Sequence, residues 1–176
     1  MKLKSMALLT LVFTLGITVG AVAARRGVDS TRYRSKSKQE AALALLETAK
    51  KQAGKGSWEQ IGVGRVYYLS GQKAEGQALF DAVTSKKPEA GDWFRIGRVY
   101  REAGEWDKAK AAFDKALQME KGDEKWLSEV GAYYNLEGDR ETAERMFDQS
   151  YKIETEDVWP TLNMASSYLG VEPQRW

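Results

Sequence analysis

Along residues 57–157 the apolar positions recur in an i, i+3, i+4, i+7 rhythm, which is the spacing of one helix face rather than of a strand. The rhythm comes in three related stretches: "GRVYYLSGQKAEGQALF" at 64–80, "GRVYREAGEWDKAKAAF" at 97–113 and "GAYYNLEGDRETAERMF" at 131–147. The copies start 33 and then 34 residues apart. Each carries a glycine, an aromatic residue three places on, a second glycine and a closing phenylalanine. These are Gly64, Tyr67, Gly71 and Phe80; Gly97, Tyr100, Gly104 and Phe113; and Gly131, Tyr134, Gly138 and Phe147. In the middle copy Trp93, Ile96, Gly97 and Tyr100 share one helix face, and Ala109, Ala112, Phe113 and Ala116 share another. Between them lies "REAGEW", with Gly104 where a helix C-terminus needs a left-handed residue. The pattern predicts helix, tight turn, helix. Gly97 is expected where two helices cross too closely for a β-carbon, with Ala109 opposite and Tyr100 and Phe113 filling the space alongside. One such hairpin cannot bury both its apolar faces, so the copies must stack.

The residues Trp93, Ile96, Gly97, Tyr100, Gly104, Ala109, Phe113 and Ala116 resemble the tetratricopeptide repeat, W-x2-L-G-x2-Y followed by A-x3-F. The first copy keeps Gly64, Tyr67, Gly71, Phe80 and a closing Pro88, but has Gln60 for the tryptophan and Gly76 for the alanine. The third keeps Gly131, Tyr134, Gly138, Ala143 and Phe147, with Leu127 for the tryptophan. On this resemblance the units are 57–89, 90–123 and 124–157. Residues 37–56, with Ala42, Leu46 and Ala49 spaced as in a second helix, form an N-terminal half-repeat. Residues 158–176 supply a C-terminal capping helix and tail. The implied fold is an all-α, right-handed helical-hairpin solenoid.

In the family, first helices line a concave groove that binds a peptide segment of a partner. Carried over position by position, the groove residues are Trp58, Ile61, Arg65 and Tyr68, then Phe94, Arg98 and Arg101, then Ser128, Ala132 and Asn135. Arg65 and Arg98 hold equivalent places in adjacent units. With Arg101 they could grip a carboxylate in bidentate fashion, while Tyr68 and Phe94 give apolar contact. The competing reading leaves these arginines solvated and paired with Glu102 or Glu105. Trp93 and Trp106 fall at structural positions; Trp58, Trp126 and Trp159 are either staples between units or groove contacts. The expectation is a non-enzymatic interaction module that takes an extended, partly acidic segment of another protein. The alternative is a structural protein that stacks on itself through its end helices.

Composition narrows the chemistry. The chain has no cysteine and no histidine, which removes disulfides, thiolate metal sites and the commonest general base. No enzyme activity, cofactor or metal is expected. Gly62, Gly64 and Gly71 follow no strand and precede no lysine–serine pair, so they do not make a phosphate loop. Asp139, Glu141 and Glu144 have the spacing of an exposed first helical turn, without that of a calcium loop.

Charge separates the N-terminal region from the body. Residues 25–38 hold six basic residues against Asp29, whereas 39–176 hold 19 basic against 24 acidic. An acidic body does not suit nucleic acid. Residues 1–24 run "MKLK", an uncharged apolar stretch, then Ala21 and Ala23 in a cleavage-site pattern, as a secretory signal peptide would. That reading places the mature protein outside the cytoplasm, in the periplasm of a bacterial envelope. Arg25 and Arg26 oppose translocation, so a single-pass membrane anchor is the alternative. Residues 25–36 read as a basic flexible linker. Membrane association through residues 1–38 would add about 1 kcal/mol per basic residue near an anionic surface.

Overall fold

The computed structural model describes residues 28–173; the expected signal or anchor at 1–24, residues 25–27 and the end of the tail lie outside them. Eight α-helices and no strand are present among the described residues: α1 (Lys38–Ala53), α2 (Ser57–Leu69), α3 (Lys73–Thr84), α4 (Ala90–Glu102), α5 (Trp106–Met119), α6 (Glu124–Leu136), α7 (Arg140–Ile153) and α8 (Val158–Tyr168). The described part of the linker is more ordered than its composition suggests. Asp29 accepts the Thr31 backbone N–H at 2.8 Å and caps a 3-10 turn at Ser30–Arg32.

Local chemistry sets the helix boundaries. Ser37 and Glu40 form a reciprocal capping box that starts α1. Each hairpin turns on a left-handed glycine, Gly71, Gly104 or Gly138, with φ of 92°, 73° and 89°. The next residue then donates its N–H back into the last helical turn, as Glu105 does to the Tyr100 carbonyl at 2.9 Å.

The helices pair as α2 with α3, α4 with α5 and α6 with α7, and the pairs stack into a helical-hairpin solenoid. The crossing glycines work differently from expectation. A β-carbon on Gly97 would lie 2.6 Å from Cε1 of Phe113, so this glycine makes room for a ring rather than for backbone. Gly64 does the same for Phe80, and Gly131 for Phe147. In the first unit Gly76 stands where the others have alanine. There the backbones do close up: its β-carbon would come within 2.7 Å of the Gly64 carbonyl oxygen.

The core is continuous across units. Phe80, Phe94, Phe113, Ile96, Val130 and Tyr133 are fully or almost fully buried. Between the first two units, Tyr68 packs on Phe80 and edge-on to Tyr100. Between the second and third, Trp126 stacks on Phe94 with centroids 4.4 Å apart, and Phe113 stacks on Tyr133. Trp126 is thus a staple between units. Tyr67 and Tyr100 each reach back to the preceding second helix, donating to Glu47 and Gln77. Trp93 is half-buried beneath Lys115, and Trp106 meets Tyr134 edge-on. Pro88 is half-buried in the link to the second unit, and Ala109 and Ala143 are fully buried. No helix among the described residues is long and apolar enough to cross a membrane.

Candidate binding groove on the first-helix face

The helices α2 and α4 enclose a cavity of about 250 Å³, lined by Trp58, Ile61, Gly62 and Arg65 from α2 and by Arg95, Arg98, Val99 and Glu102 from α4. Its floor is apolar, since Ile61 and Val99 are 3% exposed. Its rim is cationic and aromatic. Trp58 is 54% exposed, and the Arg95 guanidinium lies 3.6 Å from its ring centroid. A cation over an indole face in this way leaves the guanidinium N–H groups, which point around the rim of its plane, able to take a further acceptor.

The structure brings together Trp58, Arg65 and Arg98 from the expected set and adds Arg95. It removes others. Tyr68 and Phe94, expected as apolar groove contacts, are core residues at 2% and 0% exposure, because their faces of α2 and α4 turn toward the facing helices of the stack. In the third unit the first-helix face is covered. Ser128 and Ala132 are buried, the Asn135 amide donates to Ser167 at 3.0 Å, and the Asn163 amide donates to Ser128 at 3.2 Å. Here α8 occupies the flank of α6, as the first helix of a further unit would.

The arginines on this face already have partners, each reaching toward the next unit or the tail. Arg65 forms a two-point pair with Glu102 through its Nε, 2.8 Å from Oε2, and its Nη2. Arg98 donates to both oxygens of Glu129 at 2.6 and 2.5 Å, and Glu129 also accepts the Tyr133 hydroxyl at 2.9 Å. Glu129 is 3% exposed, so this is a buried, hydrogen-bonded pair with both oxygens satisfied. Arg101 lies 3.3 Å from Glu137 and 2.8 Å from Glu172. The sequence alternative of paired arginines therefore describes the ground state, but with Glu129, Glu137 and Glu172 added and without Glu105.

Glu105 instead fastens the first two units on the far side of this face. It accepts from the Tyr68 hydroxyl at 2.6 Å and pairs with Lys108 at 2.7 Å and with Lys73. These hydrogen bonds, led by Lys108, draw its carboxyl from 4.5 down to about 2. Arg95 differs from all of these: it makes no hydrogen bond or ion pair with a described residue. Burial, and next the neighbouring Arg98, lower its pKa.

Glu172 belongs to the tail. After α8 the chain turns at Gly170, with φ 73°, and Val171 donates its N–H to Ser166 at 2.9 Å. Val171–Pro173 then run without regular structure, laying Glu172 on Arg101 and burying Pro173.

A model of the tetratricopeptide repeat family matches residues 90–123, the middle unit. Over 103 residues, or 57% of this chain, the sequence is 33% identical to the cell division cycle protein 16 homolog of Homo sapiens, and equally to that of Mus musculus. The match spans 16% of the length of each relative. The middle unit is thus a tetratricopeptide repeat, the hairpin of protein–protein interaction modules, and two further glycine-turned hairpins of the same form, at 33- and 34-residue spacing, stack with it into one helical solenoid.

Proposed function

We propose that this chain is a non-enzymatic scaffold or assembly factor that holds an extended, partly acidic segment of a partner protein on its first-helix face, between α2 and α4. The observation that carries this reading is what the face already holds. The chain's own non-helical tail sets Glu172 on Arg101, while the neighbouring cavity edged by Trp58 and Arg95 is open. A surface with an apolar floor and guanidinium groups on its rim suits a chain segment that alternates apolar and acidic side chains. Residues 1–24 would deliver the scaffold across a membrane as a cleaved signal, or hold it there as an anchor, with the basic stretch to residue 38 facing anionic lipid.

The test is co-purification from the native host, comparing the unaltered protein with Trp58→Ala combined with Arg95→Glu. The reading expects partners to be lost by the variant while its helical content is unchanged. Identical capture by both proteins overturns it. Mass spectrometry of the natively expressed chain decides the N-terminus: loss of residues 1–23 or 1–24 supports the cleaved signal, and an intact Met1 supports the anchor.

A second reading rests on the two ends. Among the described residues α8 has no second helix to pair with, and Val158 and Leu162 on it and Leu169 after it are 54%, 46% and 81% exposed. At the other end, among the described residues, no α-helix precedes α1. Head-to-tail stacking would join the two, and light scattering at increasing concentration would show a mass that keeps growing.

A further inference from the structure

The repeat carries its own internal comparison. In the second and third units, Arg98, one residue after the crossing glycine Gly97, clasps Glu129, two residues before the crossing glycine Gly131. The same two places in the first and second units are Arg65, one after Gly64, and Arg95, two before Gly97. At these two places the first interface has two guanidinium groups; Arg65 turns to Glu102 instead, and both arginines line a cavity of about 250 Å³.

We infer that Arg95, beside the Arg65–Glu102 pair, is a seat for a glutamate side chain of the partner segment, which brings from outside the carboxylate that Glu129 supplies from inside at the next interface. This deepens the proposed groove function and rests on it. The charges around the cavity leave room for one carboxylate. Arg98 is taken up by Glu129, and Arg65 by Glu102. Asp92, one turn before Arg95, is turned to the Glu89 backbone N–H at 3.0 Å in the cap of α4. Arg95 is the arginine lining the cavity that has no ion pair among the described residues, stacked on Trp58 with only the electrostatic pull of Asp92 on its charge. Gly62 keeps the way in clear, since a β-carbon there would meet nothing within 4 Å. A glutamate side chain is the occupant because the four carboxylates already held by arginines of this face, Glu102, Glu129, Glu137 and Glu172, are all glutamates. Ile61 and Val99 beneath would receive an adjoining apolar side chain.

The probe is the end-blocked peptide acetyl-Val-Glu-Pro-amide, which copies the tail segment this face already accepts. It is titrated into the full chain while the Trp58 indole N–H and the Arg95 Nε–H are followed by NMR. Two controls are the glutamine peptide acetyl-Val-Gln-Pro-amide and acetyl-Val-Gln-Pro with a free C-terminal carboxylate. The seat predicts saturable shifts at Trp58 and Arg95, affinity about tenfold weaker for the end-blocked glutamine peptide, and no such preference in Arg95→Gln. Equal affinity for the glutamate and glutamine peptides at these resonances overturns the seat but leaves the groove standing. Binding only by the free-carboxylate peptide, shifts confined to Arg101, or no saturable shift also overturns it; the co-purification test then judges the groove separately. In Arg95→Glu the charge of the seat is reversed while the Arg65–Glu102 pair is untouched, so thermal stability should hold while the probe no longer binds. A fall in stability with probe binding intact contradicts the seat.

Discussion

Glu129→Ala is the sharpest test of how the second and third units are joined. The substitution leaves the Arg98 guanidinium without its two-point partner and takes an acceptor from the Tyr133 hydroxyl, at a site where Glu129 is 3% exposed. Removing one partner of a buried ion pair costs about 3–5 kcal/mol. Arg98 keeps 15% exposure and can recover some hydration, which puts the expected loss near the low end, about 3 kcal/mol. For a chain of this size that corresponds to a fall in Tm of roughly 6–12 °C. Urea unfolding followed by tryptophan fluorescence reads the interface itself, because Trp126 stacks on Phe94 within it. A double-mutant cycle of Arg98→Met and Glu129→Leu separates the pair from its surroundings. The single changes should each destabilise, and the double change should recover at least about 2 kcal/mol of their sum. A loss below about 1 kcal/mol for Glu129→Ala, with coupling within about 0.5 kcal/mol of zero, would refute the argument that this clasp joins the units.

The acid limb of stability depends on Glu105. Its carboxyl is depressed in the folded state from 4.5 to about 2, so its contribution is complete above pH 4.5 and disappears as pH falls toward 2. Glu105→Gln should flatten that part of the pH profile relative to the unaltered protein, as measured by thermal unfolding across pH 2–6. Two glycine substitutions, one buried and one exposed, have opposite signs. Gly97→Ala drives a β-carbon to 2.6 Å from the buried Phe113 ring and should cost about 1–3 kcal/mol, relieved by Phe113→Leu in the same chain. Gly62→Ala meets open space in mid-helix and should stabilise by about 0.5–1 kcal/mol in the same urea assay. Deleting residues 171–176 frees Arg101 from Glu172 but leaves Glu137 beside it. Acidic peptides should then shift the Arg101 Nε–H in NMR spectra, and unchanged spectra on titration would speak against the tail as an occupant of this face.

Repetition made the architecture readable from sequence. The glycine turns at Gly71, Gly104 and Gly138 and the apolar rhythm between them are local signals, and local backbone chemistry fixes both. The groove was less legible because a one-residue rotation about a helix axis changes which side chains it presents. Carrying the groove over as Phe94, Arg98 and Arg101 selects a face displaced toward the core; the cavity is lined by Arg95, Arg98, Val99 and Glu102. Arg95 could have been found by aligning the units on their crossing glycines and comparing charges, since it stands where the third unit has Glu129. The closing of the third unit by α8, and the return of Glu172 to Arg101, follow from contacts between residues 32 and 71 apart in the chain. No local pattern encodes those distances.

Where a partner docks can be read by site-specific photo-cross-linking in the native host. A photoreactive phenylalanine analogue would replace Trp58 on the first-helix face, or Asp148 on the exposed side of the second helix α7. The account predicts a cross-linked partner at position 58, attached through an acidic, extended segment, and none at position 148. Cross-linking of that partner at 148 with none at 58 would contradict it.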